Sequence, residues 1–249
     1  MHTTIILGDG GLGRAVETAL IGRPAPRPAG ETVQVLGRPA AGRHDPAALT
    51  GAELVVEASR GDAVALNLAA ALGAGCRQFV IATTGWAADR TKVESLLREY
   101  DAAAVSASNF SPGVVLFGRL VDAAVALLGP LEDFDPYLLE WHRRAKRDRP
   151  SGTAGDLAAR IVAGHPRLTR AEDLEVVSVR AGASPGMHLV GFDAAGETVE
   201  LRLTARDRSA YAAGILAAVD WLERAPRPSG LHAFDPIVDE LIARDPIAA

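Results

Sequence analysis

Cysteine is almost missing from this chain of 249 residues, Cys76 being the only one. That excludes an intramolecular disulfide and a cysteine-built metal cluster, suits a reducing compartment, and leaves Cys76 as core filler. Also lacking is any run of about 18 apolar residues, as a membrane span requires. The start Met-His-Thr-Thr leads straight into strand-like sequence, without the basic and apolar regions of a signal peptide. The expectation is a cytoplasmic protein with no membrane partner. Internal repeats are absent, as is low-complexity sequence beyond alanine richness, and 48% of residues are hydrophobic, which excludes a disordered chain. A net charge of -5 argues against general nucleic-acid binding. No metal site is expected.

What is present begins with Thr4-Ile5-Ile6-Leu7, a strand, then Gly8-Asp9-Gly10-Gly11-Leu12-Gly13-Arg14 and a helix over Ala15 to Ile21. This is G-x-G-x-x-G between strand and helix, where glycines permit the tight turn, the approach of a pyrophosphate and close helix packing. The second strand, Thr32 to Leu36, ends Leu36-Gly37-Arg38. No carboxylate stands there to bond the adenosine ribose, whereas Arg38 suits a 2′-phosphate, so NADPH is favoured with NADH as the alternative. Strands over Glu53 to Ala58, Gln78 to Ala82 and Ala103 to Ala107 alternate with helices over Ala63 to Leu72 and Lys92 to Tyr100, the pattern of a doubly wound parallel sheet. Ligands of such sheets lie beyond the carboxyl ends of strands, which puts Ser59 and Thr83-Thr84-Gly85 beside a nicotinamide ribose.

The richest stretch in chemistry is Glu140 to Ala154. Phe134 to Leu139 reads as a strand, His142 to Arg149 as a loop, and Ser151 as the N-cap of a helix whose apolar face is Ala154, Leu157, Ala158, Ile161 and Val162, ending at Gly164. A helix N-terminus presents unpaired N–H groups and partial positive charge, so Ser151, Gly152 and Thr153 suit a carboxylate or phosphate. His142 and Lys146 are candidate proton carriers. An imidazole suits transfer near neutrality, and Lys146 stands among arginines whose like charge eases release of its proton. Taken alone, this stretch also fits a solvated basic face with a simple cap. Further on, Leu174 to Arg180, Met187 to Phe192 and Thr198 to Ala205 read as strands of an antiparallel sheet with one solvated face. Arg206-Asp207-Arg208 precede a helix over Tyr211 to Leu222, Pro226 to Leu231 is loop, and Ile237 to Ala243 a short helix.

With these pieces in order, the chain resembles the dihydrodipicolinate reductases, also called 4-hydroxy-tetrahydrodipicolinate reductases, over nearly its whole length. The family pattern E-x-H-H-x-x-K-x-D-x-P-S-G-T-A is matched by Glu140-Trp141-His142-Arg143-Arg144-Ala145-Lys146-Arg147-Asp148-Arg149-Pro150-Ser151-Gly152-Thr153-Ala154. Ala82-Thr83-Thr84-Gly85 stands for the G-T-T-G turn and Ala107-Ser108-Asn109-Phe110-Ser111-Pro112-Gly113 for A-x-N-F-S-x-G; Arg180-Ala181-Gly182 and Gly186-Met187-His188 match R-A-G and G-x-H.

The resemblance implies an α/β protein. A Rossmann-type dinucleotide-binding domain over 1–108 plus 210–249 receives an inserted α+β domain, 109–209, for substrate and oligomer contacts. It implies hydride transfer from NAD(P)H to a small cyclic dicarboxylate with loss of water, in diaminopimelate and lysine biosynthesis, by a homotetramer or dimer. His142 is implied as the acid/base residue and Lys146 as the proton donor, with Arg143, Ser151, Gly152 and Thr153 on the substrate. The cofactor contacts are Gly8 to Gly13, Arg38, Ser59, Ala82, Thr83, Thr84, Ala107, Ser108, Asn109, Phe110 and Arg208. Arg143 stands where the pattern has a second histidine, Ala82 where it has glycine, Leu203 where many members carry histidine, and the link from Gly164 to Arg180 is short. Two other readings stay open: a related imine reductase for another cyclic or carboxylated substrate, and a non-catalytic NADP(H) sensor.

Overall fold

The computed structural model describes residues 2–24, 30–39 and 44–244. The chain divides into two compact units, Met1–Ser111 with Arg208–Ala249, and Pro112–Asp207.

In the first unit the buried apolar runs form β1 (Thr3–Leu7), β2 (Thr32–Leu36), β3 (Leu54–Glu57), β4 (Gln78–Ile81) and β5 (Ala103–Ser106). Strands buried on both faces lack alternation, and β3 is buried at all four positions. Helices α1 (Gly11–Gly22), α2 (Val64–Gly73) and α3 (Arg90–Glu99) connect them. Every pairing is parallel, and with a last strand, β10 (Gly230–Ala233), the order is β10-β5-β4-β3-β1-β2. The chain winds outward from β1 in opposite directions, through β2 on one side and β3 on the other, so the crevice beyond the ends of β1 and β3 is the switch point where such sheets take ligands. One face carries a core of Ile5, Leu7, Val55, Phe79, Leu68 and Leu97. Cys76 belongs to it, and burial pushes its thiol up to about 12, as befits an inert filler.

The edge strand β10 pairs with β5, and its first two residues, Gly230 and Leu231, fall at the end of the stretch Pro226 to Leu231 expected as loop. Its four residues follow proline-rich sequence and alternate too briefly to announce a strand.

The second unit contains α4 (Pro112–Leu128), β6 (Asp135–His142), α5 (Gly152–Gly164), β7 (Glu175–Arg180), β8 (Met187–Asp193) and β9 (Thr198–Thr204). Its sheet runs β7-β6-β8-β9. Two expectations are corrected here. β6 continues through His142, because Leu138, Glu140 and His142 point inward in turn and the two buried polar residues disguise the alternation. β7 pairs with β6 in parallel, not antiparallel, since the intervening α5 returns the chain to the edge where β6 began. Helices α4 and α5 cover one face through Phe117, Val121, Leu157 and Ile161, packed with Leu138 and Val190. The chain then returns to the first unit through α6 (Ser209–Arg224), β10 and α7 (Asp235–Arg244). Among the described residues no helix is long and apolar enough to cross a membrane.

Candidate active site

The glycine-rich turn follows β1 directly. Gly8 has φ +119, and a Cβ there would lie 2.4 Å from the Ala58 carbonyl oxygen, so the end of β1 sits hard against the end of β3. At Gly13 a Cβ would lie 1.9 Å from the Gly8 oxygen, which lets the first turn of α1 close onto the loop. Gly10 differs: a Cβ there would meet nothing within 4 Å. Packing therefore demands two of the three glycines, and the third faces open space at the uncapped N-terminus of α1. This is the fit expected for a pyrophosphate drawn to a helix start.

A cavity of about 400 Å³ beside the turn is lined by Gly8, Asp9, Gly10, Arg38 and Ser59 among others. It is also lined by Arg60, paired with Asp62 at 2.5 Å, a cation the sequence analysis missed although it follows Ser59. Gly11 and Leu12 open α1, and Arg208 lies over that end, its Nη1 3.3 Å from where a Gly11 Cβ would be.

Beneath the cavity, buried Glu57 holds the ends of β3 and β4 together. It accepts from the Ser59 amide at 2.9 Å, the Ser59 hydroxyl, Asn67 Nδ2 at 2.8 Å and Thr83 Oγ1 at 3.2 Å. Burial raises its affinity for a proton, and these donors oppose that. Thr83 thus spends its hydroxyl inward, while Ala82 is half-buried and Thr84 exposed. After β5, Ala107 is half-buried and Ser108 exposed, and Asn109 Oδ1 accepts from the Ser111 amide at 2.8 Å. The Phe110 ring lies in the core, 5.0 Å from the ring of Phe234.

In the second unit, Glu140 and His142 both point into the interior from β6. Glu140 is fully buried, and its Oε1 accepts from the Ser151 amide at 2.9 Å, Ser178 Oγ at 2.5 Å and Arg180 Nη2 at 2.7 Å. Burial alone would raise its pKa; the hydrogen bonds from Ser151, Ser178 and Arg180 overcome that and hold it at about 2, so the carboxylate is ionised. Its stabilising contribution is fully present above the usual carboxylate range and is lost progressively as pH falls from that range through about 2.

The other oxygen, Oε2, lies 3.1 Å from His142 Nδ1 and 3.8 Å from His188 Nε2. The two imidazoles meet edge to face at 5.2 Å. Burial lowers the pKa of both, His188 to about 4, with Glu140 opposing and neighbouring cations assisting, so both rings are neutral at neutral pH. Gly186 gives His142 its room, since a Cβ there would lie 3.0 Å from Nε2. Glu140, His142 and His188 each place one potential metal-ligand atom within 4.8 Å of the others. The Arg180 guanidinium supplies a positive partner to the same carboxylate, 2.7 Å from Oε1.

Ser151 caps α5 by accepting from the Ala154 amide at 3.2 Å, a contact worth about 1 kcal/mol. With its own amide given to Glu140 and its hydroxyl 3.2 Å from His188 Nε2, its polar groups are committed inside the protein. Gly152 is exposed and a Cβ there would meet nothing within 4 Å, so approach to the start of α5 is open. Thr153 lies next in the same first turn, half-buried. Lys146 pairs with Asp148 at 2.9 Å, a correction to the expectation of a lysine among like charges alone. Arg143 is exposed, its amide bonded to the Ser184 carbonyl at 2.7 Å. Of these, Glu140, Arg180, Ser178 and His188 escape sequence reasoning as site members, although R-A-G and G-x-H contain two of them.

A doubly wound parallel sheet with this turn at its switch point, joined to a unit carrying a buried Glu-His-His cluster beneath an open helix start, defines a nicotinamide-dinucleotide oxidoreductase. A model of the dihydrodipicolinate reductase C-terminus matches residues 113–235. The 4-hydroxy-tetrahydrodipicolinate reductase of Wolinella succinogenes is 35% identical over 202 residues, 75% of this chain and 76% of that protein. That of Halorhodospira halophila is 33% identical over 202 residues, 75% and 73% of the two chains. The fold is shared with dipicolinate-bound dihydrodipicolinate reductase from Paenisporosarcina sp. TG-14, at TM-score 0.68 and 19% identity over 94% of this chain and 97% of that one. The chain belongs to the 4-hydroxy-tetrahydrodipicolinate reductase family.

Proposed function

We propose that this protein reduces 4-hydroxy-tetrahydrodipicolinate to tetrahydrodipicolinate with loss of water, in diaminopimelate and lysine biosynthesis, using NADPH in preference to NADH. The observation that carries the reading is the bridge that Glu140 makes between the buried His142 imidazole and the Ser151 amide at an exposed, uncluttered helix start, which links a proton carrier to an anion cradle in one unit. When bound, the dinucleotide supplies a hydride. Gly10 and the start of α1 hold its pyrophosphate, Ser59, Ala82, Thr83 and Thr84 border its nicotinamide side, and Arg208 adds positive charge. Gly152 and Thr153 orient a substrate carboxylate, with Ser151 holding the cradle in shape. His142 carries a proton between substrate and solvent, Lys146 gives the proton that accompanies the hydride, and the departing hydroxyl leaves as water.

The test is NADPH oxidation by purified protein with 4-hydroxy-tetrahydrodipicolinate made in situ by its synthase. Turnover is expected; its absence, with turnover of another carboxylated cyclic imine, would move the assignment to the alternative that Arg143 favours by replacing the second motif histidine. Cofactor binding without turnover of either would leave the sensor reading.

Preference for NADPH rests on Arg38, with Arg60 beside it. Charge-assisted contacts contribute about 1.5–3 kcal/mol, so Arg38→Asp should lower the NADPH-to-NADH ratio of kcat/KM by roughly 10- to 100-fold. An unchanged ratio would make Arg38 a surface charge.

The uncovered sheet face supports a homo-oligomer, a tetramer or a dimer. Trp141 and Val177 are 39% and 41% exposed, and Leu139 pairs with Leu189 on the same face. Trp141→Glu should shift the sedimenting species to a lower mass; an unaltered mass would remove this face from assembly. Action in the cytoplasm fits a chain whose only cysteine is a buried thiol.

A further inference from the structure

Among the side-chain polar atoms of the second unit that are buried without a hydrogen-bond partner, two belong to one cluster: Glu140 Oε2 and His142 Nδ1. They face each other at 3.1 Å, close enough for charge attraction and out of line for a hydrogen bond. A buried orphan pair is costly unless some state of the protein uses it. The other oxygen of the same carboxylate is saturated by Ser151, Ser178 and Arg180. The Ser151 amide is the residue joint between loop and α5, so one carboxylate grips the helix start with one oxygen and addresses the imidazole with the other.

We propose that Glu140 is a positioning residue that couples proton transfer at His142 to the carboxylate cradle at the start of α5. This rests on the acid/base role given to His142 above. When His142 takes a proton, a small rotation of the ring aligns Nδ1–H with Oε2, and the orphan pair becomes a charge-assisted hydrogen bond. The proton moves from solvent or substrate onto the imidazole and back; Glu140 stays ionised throughout. The tie from Oε1 to the Ser151 amide fixes the cradle relative to that imidazole, so a carboxylate held by Gly152 and Thr153 is presented at one distance from the proton carrier.

The groups that face His142 are Glu140 on its own strand, Arg180 on β7, His188 on β8, and Lys146 and Asp148 on the following loop. Glu140 is the first of these to favour the charged ring, and burial, Lys146 and Arg180 oppose it. Replacing the carboxylate by an amide removes that support, so the titration of His142 must move to lower pH.

The test compares Glu140→Gln with Glu140→Ala. The amide keeps an oxygen for Ser151, Ser178 and Arg180, so Glu140→Gln should hold substrate KM within about threefold while kcat falls on the order of 10²-fold, the usual size of a lost proton-transfer contribution. Glu140→Ala should in addition raise KM and weaken binding of the inert dicarboxylate dipicolinate. NADPH binding, measured by fluorescence, should be unchanged in both. Nitrogen-15 histidine NMR reads the His142 titration without any turnover and should show it shifted toward acid in Glu140→Gln. Wild-type kcat in the amide variant with an unmoved titration would overturn the proposal, as would parallel loss of kcat, KM and thermal stability in both variants. Lack of turnover by the wild-type protein, with the histidine titration shifted in Glu140→Gln, would instead count against the proposed reaction and leave the coupling standing.

Discussion

Alanine at Lys146 should lower kcat by about 100-fold or more, since a positioned general acid contributes about 10²–10⁴. The side chain sits two residues before Asp148, to which its ammonium is bonded at 2.9 Å, and its charge is among those that weaken proton binding by His142. Two roles would explain such a loss, donation of a proton or provision of a fixed charge. Arginine separates them, because it keeps the charge and never deprotonates in this range. If Lys146 donates, Lys146→Arg should be nearly as slow as Lys146→Ala; if it supplies charge, Lys146→Arg should recover most of the rate. The exposure of the Lys146 side chain, 27%, makes either substitution tolerable to the fold, so thermal stability should stay within about 0.5 kcal/mol of wild type. Wild-type kcat in Lys146→Ala would remove the residue from the mechanism, and a destabilised variant would make its loss of rate uninformative about proton donation.

Local signals made the first unit legible. Strand, glycine turn and helix follow one another within the first twenty residues, and the buried runs of β3, β4 and β5 need no partner to be recognised. The α5 N-cap was equally plain, because Ser151 precedes a regular apolar face. What stayed hidden depends on contacts distant in sequence. Glu140 reads as an ordinary acid in a motif until Arg180, 40 residues on, and Ser178 close on it. The same burial concealed the end of β6, since Glu140 and His142 occupy inward positions where apolar residues are the norm. The parallel pairing of β7 follows from the helix that precedes it, a feature of topology rather than of the strand's composition. Phe110 is named as a cofactor contact by the resemblance alone; its ring packs in the core against Phe234, and α6 lies so close that a Cβ at Gly214 would meet the Phe110 oxygen at 1.6 Å.

Two of the three fingerprint glycines, Gly13 and Gly10, should respond to alanine in opposite ways. At Gly13 the added methyl would lie 1.9 Å from the Gly8 carbonyl oxygen and 3.5 Å from Ile6 Cγ2, both fixed parts of the β1–α1 junction. Neither can retreat as a flexible side chain would, so α1 must lift from the loop. Overpacking of this kind costs about 1–3 kcal/mol or more, which for a chain of this size lowers Tm by roughly 2–12 °C, and dinucleotide binding should go with the loop geometry. At Gly10 the methyl meets no protein atom within 4 Å, and the backbone, φ -71 and ψ 178, is one that alanine adopts freely. Gly10→Ala should therefore melt within about 0.5 kcal/mol of wild type, yet bind NADPH at least about 10-fold more weakly, because the space it fills is that of the pyrophosphate. Calorimetry for stability and fluorescence titration for NADPH measure both halves. A Gly10→Ala variant with wild-type affinity would mean that the pyrophosphate does not cross this turn, and the dinucleotide site would have to be sought elsewhere on the carboxyl edge of the sheet. A Gly13→Ala variant that melts like wild type would show that the loop can yield, and the close packing of α1 on β1 would lose its claim to have selected that glycine.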